Sequence, residues 1–542
     1  MCRYFRSPFS WPLIWVALLV WLPLFVTAAS RHHHDEDASS SSLLFLRKTS
    51  SKIHQQRQQR QQHTAKLVTP DPTTTQTFRV TDWGVVGNGL HDDTDAMRFL
   101  LSTSCDQLLV ARNLTTNCPC HHKHIIIPAH AIVKTLPLNI SSHTTLQIDG
   151  TLLASPSSSH WPIIPANPLY GDSEDRGAGG GWLIPQYQSF LYAQDATHIR
   201  MTGTGVVDGN GPYWWNLFLN KSLTEAGRPN LIQTVNCSVV EMDSVTMKDA
   251  GFWTVHPMLS SDIAMHHLKI RAPLYAPNID GIDPDACQNV LIEYNDVACG
   301  DDHIAIKAGV CGVDKSGYRN SCMDPAWRSP ADAGAYMTRN ITIRHNVFGT
   351  GMGVAIGSES SGSIRDVYVY NNTIGACQQG DKDKYHSCGW GYALHIKTTI
   401  SRSGVIDNIV FDNNTIYNNT GFILMETNYQ TSNQVLPPGY PKTQVSNIVF
   451  ANNQALGGAM GTMFHCDVQD PCHAITVVNN TIAQAAATGR NPWSCQYIAS
   501  YTVAGNVPEG LEECMAQSMT NHSGSAMAKA NAAATAPVEA AR

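Results

Sequence analysis

Asn340-Ile341-Thr342-Ile343-Arg344-His345-Asn346-Val347 decides the fold of this chain. A small polar residue opens the segment, apolar positions alternate, and Asn closes it. The same pattern returns at Ser238-Val239-Val240, Asp262-Ile263-Ala264, Asn289-Val290-Leu291-Ile292, Asp366-Val367-Tyr368-Val369, Asn408-Ile409-Val410-Phe411, Asn447-Ile448-Val449-Phe450 and Ala474-Ile475-Thr476-Val477. Successive starts fall about 24 to 27 residues apart, or near 40 to 50 where a loop or an extra rung intervenes, and such a period marks a solenoid. Each strand buries one face in a core that no single coil completes. Asn after the strands (Asn295, Asn346, Asn371, Asn413, Asn452, Asn479) tolerates left-handed turns and bonds to a stacked neighbour. A β-sandwich would show hairpin turns every 8 to 12 residues, and these are missing from the sequence. The expected fold is all-β, a single-stranded parallel β-helix.

The flanks read differently. Arg3 and Arg6, the apolar run Trp11 to Val26 and the small residues Thr27-Ala28-Ala29 predict a secretory signal over 1–29, with a signal anchor as the alternative. Residues 30–76 are rich in Ser, His, Gln and Arg and read as a disordered linker. The histidines at 32 to 34 are read as part of that solvated spacer, with metal binding as the other reading. The folded part is expected over 77–515, and the Ala-rich 516–542 as an unstructured tail. Within 77–515, Phe78 to Gly84 predicts a first strand. Asp92-Asp93-Thr94-Asp95 then offers an N-cap for a short amphipathic helix through Met97, Phe99 and Leu100 that covers the open end of the first coil.

Cysteine usage agrees with export. Setting aside Cys2 from 15 leaves 14, an even number, and Cys118/Cys120, Cys311/Cys322, Cys377/Cys388 and Cys466/Cys472 lie close enough to close short loops. Zinc is the other reading of Cys118-Pro119-Cys120-His121-His122. About ten glycosylation sequons, Asn113, Asn139, Asn340 and Asn413 among them, suit the same route. A net charge of −7 with 15% charged residues argues against nucleic acid as the partner. No other stretch is long enough to span a membrane, so no stable membrane association is expected after signal cleavage. A monomer, secreted or held in the cell wall, is expected.

Two short segments carry the chemistry: Asn278-Ile279-Asp280-Gly281 and Gly300-Asp301-Asp302-His303. Asp280 and Asp301 are 21 residues apart, roughly one rung, and rungs stack about 4.8 Å apart. Three crowded carboxylates raise at least one affinity for protons, giving an acid beside a base, which glycosidic cleavage requires. Turn capping is the plainer reading of an isolated Asp-Gly; the repeat context favours function. A calcium site built from three carboxylates is a second functional reading.

The region from about 78 to 430 resembles glycoside hydrolase family 28, the polygalacturonase family. The likeness rests on ordered motifs: Gly203-Thr204-Gly205, Asp208-Gly209-Asn210-Gly211, Trp214-Trp215, Arg228-Pro229 and Trp253-Thr254-Val255-His256. It continues through Asn278-Ile279-Asp280-Gly281-Ile282-Asp283-Pro284-Asp285, Gly300-Asp301-Asp302-His303-Ile304-Ala305-Ile306-Lys307, Ile356-Gly357-Ser358-Glu359 and Ile396-Lys397. The resemblance implies a right-handed parallel β-helix of the pectin-lyase-like kind and inverting hydrolysis of an acidic, pectin-type polysaccharide. It implies Asp301 as general acid and Asp280 and Asp302 around the attacking water. Asn278 would orient neighbours, and Lys397 would meet a sugar carboxylate. No metal or cofactor is expected at the site.

Two positions depart from the family. Met352, in Gly351-Met352-Gly353, stands where the family carries His, and Met cannot hold a proton. His395 stands where the family has Arg, and a neutral imidazole does not grip a carboxylate bidentately. An unburied His395 would regain charge below about pH 6.5, and Arg402 is a candidate to compensate. Packing is the competing reading for His395 and for His256, which otherwise could line the groove; Trp214 and Trp215 could stack on sugar rings, with core or loop anchoring as the favoured reading. Asp283 and Asp285 are read as structural beside Pro284, and His303 is assigned no role. These departures keep a related glycan such as rhamnogalacturonan, a calcium-dependent lyase and a non-catalytic glycan-binding protein as alternatives.

Overall fold

A computed structural model describes residues 67–518 apart from 114–119, 166–184, 225, 310–335, 377–388, 400–401, 403, 430–441 and 459–460. The expected signal, the linker up to 66, the end of the tail, and Cys118, Cys311, Cys322, Cys377 and Cys388 lie outside the described residues.

The chain winds as a parallel solenoid whose coils add strands in turn to three faces. The first face is a 13-stranded sheet and the second a 12-stranded one. The third is divided into a four-stranded and a six-stranded sheet. The wide spacings in the sequence come from loops rather than extra rungs: Asn289, Asn340, Asp366, Asn408 and Asn447 lie within strands that are direct neighbours in the first sheet, so the strands begin before the polar residue.

The recurring polar opener has a backbone reason. Asp262, Asn289, Asn340, Asp366, Asn408 and Asn447 all sit at φ between +55° and +59°, in the left-handed region that Asn and Asp tolerate. Val239 and Ala474 occupy the same place without that tolerance. At the far end of each strand a second left-handed column runs through His267, Tyr294, His345, Asn371, Asn413, Asn452 and Asn479. The next residue inward forms a buried ladder. Asn346 Nδ2 donates to Asn372 Oδ1 at 2.9 Å, Asn372 to Asn414 at 3.0 Å, Asn414 to Asn453 at 2.9 Å and Asn453 to Asn480 at 3.0 Å. Each amide oxygen also accepts a backbone N–H of the preceding coil, which satisfies groups the turn leaves unpaired.

Inside the coils Ile, Val and Phe fill one continuous core, with Phe411 stacked on Phe450 at 5.1 Å. The N-terminal end is closed by helix Thr94–Ser102 and by a second, unexpected helix, Cys105–Ala111, with a Ser104/Gln107 capping box. In the first helix Met97, Leu100 and Leu101 face the core, whereas Phe99 is 45% exposed. Asp93 is the cap by position, yet its carboxylate accepts from Val86 and Gly87 N–H, and Asp92 receives the Thr94 N–H. The first strand runs Thr75–Arg79, and Val80–Trp83, expected to continue it, form a 3-10 turn ending at the left-handed Gly84; Val68 is already buried with its N–H on Glu241. Helical residues 511–518 close the described chain.

The cysteine expectation needs correcting. Cys120 bonds to Cys105, not to Cys118, which ties the second capping helix to the first coil and removes the thiolate a zinc site would need. Cys466–Cys472 is present as expected, and Cys495–Cys514 holds the C-terminal helical residues. Cys237, Cys287 and Cys299 are buried thiols.

Candidate active site

The third face breaks where residues 278–285 cross it. Isolated bridges join Val255 to Ile282 and Ile282 to Ile304, so the coils stay in register without a regular strand between them. Asn278 takes φ +52° to start the crossing. Gly281 is required by close approach: a Cβ there would lie 2.3 Å from the His303 carbonyl oxygen. Gly281 N–H donates to Asp302 O at 2.9 Å and Ile282 N–H to His303 O at 3.1 Å, which stacks Asp280 on Asp302. On the next coil Met352 pairs with Asp302 in register. Asp301 precedes Asp302, its Oδ1 accepting the Asp302 N–H at 3.0 Å. The three aspartates therefore meet on adjacent coils, with Asp280 and Asp302 buried and Asp301 half-buried.

Two lysines separate the behaviour of these carboxyls. Lys397 Nζ donates to Asp302 Oδ2 at 2.7 Å and lies 5.1 Å over the Tyr429 ring. Burial alone would raise the proton affinity of Asp302, but Lys397 and then His395 hold it below the ordinary carboxylate value. Asp301 is pushed up to about 6, first by burial and then by the Asp302 charge. Asp280 is raised well above its ordinary value by burial, then by Asp283 and Asp301. Lys307 stands 3.9 Å from Asp280 Oδ2, 3.1 Å from Glu359 Oε2 and 4.4 Å over the Trp253 ring. Burial works to raise Glu359, yet Lys307 and Arg402 hold it at about 2. Asp283 is fully buried, and burial raises it well above the carboxylate range.

The other sequence-derived residues divide. Asn278 Oδ1 accepts from Arg228 at 3.0 Å, and Arg228 also donates to the Gly251 and Pro277 carbonyls. Met352 is half-exposed, and its side chain lies against Gly391. His395 is buried; its Nε2 faces the Tyr392 carbonyl, and its Nδ1 stands 3.9 Å from Asp302 Oδ1. Burial pushes His395 down to about 4, so the return of charge below about pH 6.5 expected for an open imidazole does not apply. Arg402 is buried, reaches Ser361 at 3.4 Å and acts on the Glu359 carboxylate.

His303 lies behind the aspartates, stacked on Phe348 at 5.0 Å, with Nε2 donating to Thr350 O at 2.9 Å. His256 is fully buried between Gln233, Asp285 and Trp253. Trp214 and Trp215 are buried too, Trp214 within a cluster of Trp161, Tyr187 and Tyr213, which makes both anchors of the coil. Lys307 and Glu359 escaped the reading of individual residues, and Asp283, read as structural, lies buried among these charges. Lys307 had one signal, a charged residue closing an otherwise apolar strand at Ile304-Ala305-Ile306-Lys307.

Residues 119–504 match glycosyl hydrolases family 28. The chain belongs to that family. A probable polygalacturonase of Vitis vinifera is 29% identical over 66% of this chain and 66% of its own length. An endo-polygalacturonase of Pectobacterium parmentieri is 28% identical over 54% of this chain and 65% of its own. The chain thus spans just under two thirds of the length of these relatives. Among solved structures, an exopolygalacturonase from Thermotoga maritima superposes with a TM-score of 0.60 at 21% identity, covering 79% of this chain and 90% of that one. Polygalacturonase from Erwinia carotovora ssp. carotovora gives 0.51 at 21% identity, over 77% and 94%. These likenesses carry the fold, a right-handed parallel β-helix.

Proposed function

We propose that this family 28 protein is an exported hydrolase that cleaves α-1,4-galacturonosyl bonds of pectin-type polysaccharide by a single inverting displacement. The observation that carries the reading is Asp280 stacked on Asp302 with Asp301 alongside, at the break in the third face. Asp301, half-buried and holding its proton to about pH 6, gives that proton to the leaving glycosidic oxygen as the C–O bond breaks. Asp302, kept ionised by Lys397, takes a proton from the water whose oxygen bonds to the anomeric carbon. Asp302 Oδ1 is buried with no hydrogen-bond partner among the described residues, an acceptor that a water held at the site would satisfy. Asp280 orients the water from the neighbouring coil.

Lys397 acts in this scheme through Asp302 rather than by gripping the sugar. The lysines at 307 and 397 supply the positive charge that a calcium ion would bring, which supports hydrolysis over calcium-dependent elimination. Export is supported by the apolar segment 11–26 and by disulfides that persist in oxidising compartments.

A second reading, hydrolysis of a less densely charged acidic glycan such as rhamnogalacturonan, is favoured by the neutral, buried His395 in place of a guanidinium. Reducing-end release from polygalacturonate and from rhamnogalacturonan separates the two. Asp301→Asn should lower release by about 10²–10⁴-fold while thermal unfolding stays put. Wild-type rates in that variant would end the assignment.

A further inference from the structure

On the first sheet, away from the broken third face, three side chains converge on one point. Asp243 ends strand Ser238–Asp243, His266 ends the adjoining strand Ser261–His266, and the two are paired in register. His267 follows with φ +55°. Asp243 Oδ1 lies 3.2 Å from His266 Nδ1 and 3.7 Å from His267 Nδ1, and the two Nδ1 atoms are 3.1 Å apart. A tetrahedral ion with ligands at about 2.0–2.1 Å has ligand-to-ligand edges of about 3.3–3.4 Å. The observed triangle has the size of one face of that tetrahedron.

The surroundings fit the same purpose. His266 Nε2 stands 3.5 Å from Glu241 Oε1, so a carboxylate lies beside the ring on the side away from Nδ1. His267 is stacked on Tyr294 at 5.5 Å, which fixes its ring. Arg200 takes the other oxygen of Asp243 at 3.3 Å and Glu241 Oε1 at 3.3 Å, and Ser244 Oγ donates to Asp243 Oδ1 at 2.8 Å. Arg344 is paired with Glu293 at 2.6 Å. Three carboxylates (Asp243, Glu241, Glu293) thus stand against two guanidiniums, leaving one negative charge in excess. His267 is 59% exposed, so solvent can complete a fourth position. Two imidazoles and one carboxylate suit zinc-class ions and not calcium, which takes six to eight oxygens.

We propose that Asp243, His266 and His267 bind one zinc-class divalent cation that clips two successive coils together. The site is independent of the carboxylates that cleave substrate. The test is calorimetric titration of Zn²⁺ into the full chain at about pH 8, because metal ligation requires deprotonated donors. His32, His33 and His34 are changed to Ala in every protein compared, to remove competing histidines. His267→Asn is the decisive variant, because Asn occupies the same left-handed position in later coils at Asn371, Asn413 and Asn452. The expected result is one equivalent of Zn²⁺ lost, or its Kd raised at least tenfold, in His267→Asn and in Asp243→Asn. Tetrahedral Co²⁺ absorption should be seen only in the chain with both residues intact. Equal stoichiometry and affinity in parent and His267→Asn, or Ca²⁺ binding there as tightly as Zn²⁺, would overturn the proposal.

Discussion

Lys397 Nζ lies 2.7 Å from Asp302 Oδ2 across 95 residues of sequence, with both side chains buried. Only the stacking of successive coils brings them together, and the contact separates two otherwise similar aspartates. Asp302 keeps its charge while its neighbour Asp301 keeps its proton to about pH 6. Lys397→Met should therefore let Asp302 take up a proton, since an unpaired buried charge is costly, about 3–5 kcal/mol. Hydrolysis at pH 5 should fall about 10²-fold or more, and the acidic limb of the pH profile should move up. An unchanged acidic limb would show that Lys397 does not tune Asp302.

The pH profile of the unaltered protein follows from the same pair. Asp301 is active when protonated, so kcat/KM should fall as pH rises through about 6. Asp302 is active when ionised and its affinity for protons is lowered, so the acidic fall should begin below the ordinary aspartate value of about 3.9. A plateau between the two limbs, measured by reducing-end release, is the expected outcome.

His395 makes a separate prediction. Its folded-state value of about 4 lies below the ordinary histidine value, so it stays neutral from pH 5 upward. KM for polygalacturonate should therefore show no step near pH 6.5, where an open histidine would lose charge and release an anionic sugar. A KM that climbs through pH 6.5 and flattens in His395→Gln would reverse this.

The asparagine ladder bears on stability alone. Asn414 donates to Val369 O at 3.0 Å and to Asn453, and it accepts both the backbone and side-chain N–H of Asn372. Asn414→Ala would strand several of these groups in the core, at about 1–3 kcal/mol each. Denaturant unfolding should shift accordingly, with kcat nearly unchanged in the folded fraction.

Much of the fold was legible because the solenoid imposes one backbone requirement on every coil. The polar residue heading each sequence repeat marks a left-handed position within a strand, and the residue after the strand marks a second. Pairing across long loops was not legible, since nothing local distinguishes a loop from an added rung. The capping helix was foreseen, but Phe99 turns outward and Leu101 inward, a rotation that short amphipathic patterns leave open. Cys120 was matched by proximity to Cys118, whereas the helix Cys105–Ala111 brings Cys105 to it instead. At the site, the meeting of Asp280, Asp301 and Asp302 followed from their rung spacing. The partnership of Lys307 with Glu359, 52 residues apart, depends on register across a long insertion and had no sequence signal.

The central claim is single-displacement hydrolysis by the three aspartates. Proton NMR of the first reducing ends released from α-1,4-linked polygalacturonate tests it most directly. The β-anomer should appear first and then mutarotate, as attack by water from the face opposite the leaving group requires. First-formed α-anomer, or an unsaturated product with no new reducing-end water oxygen, would contradict it.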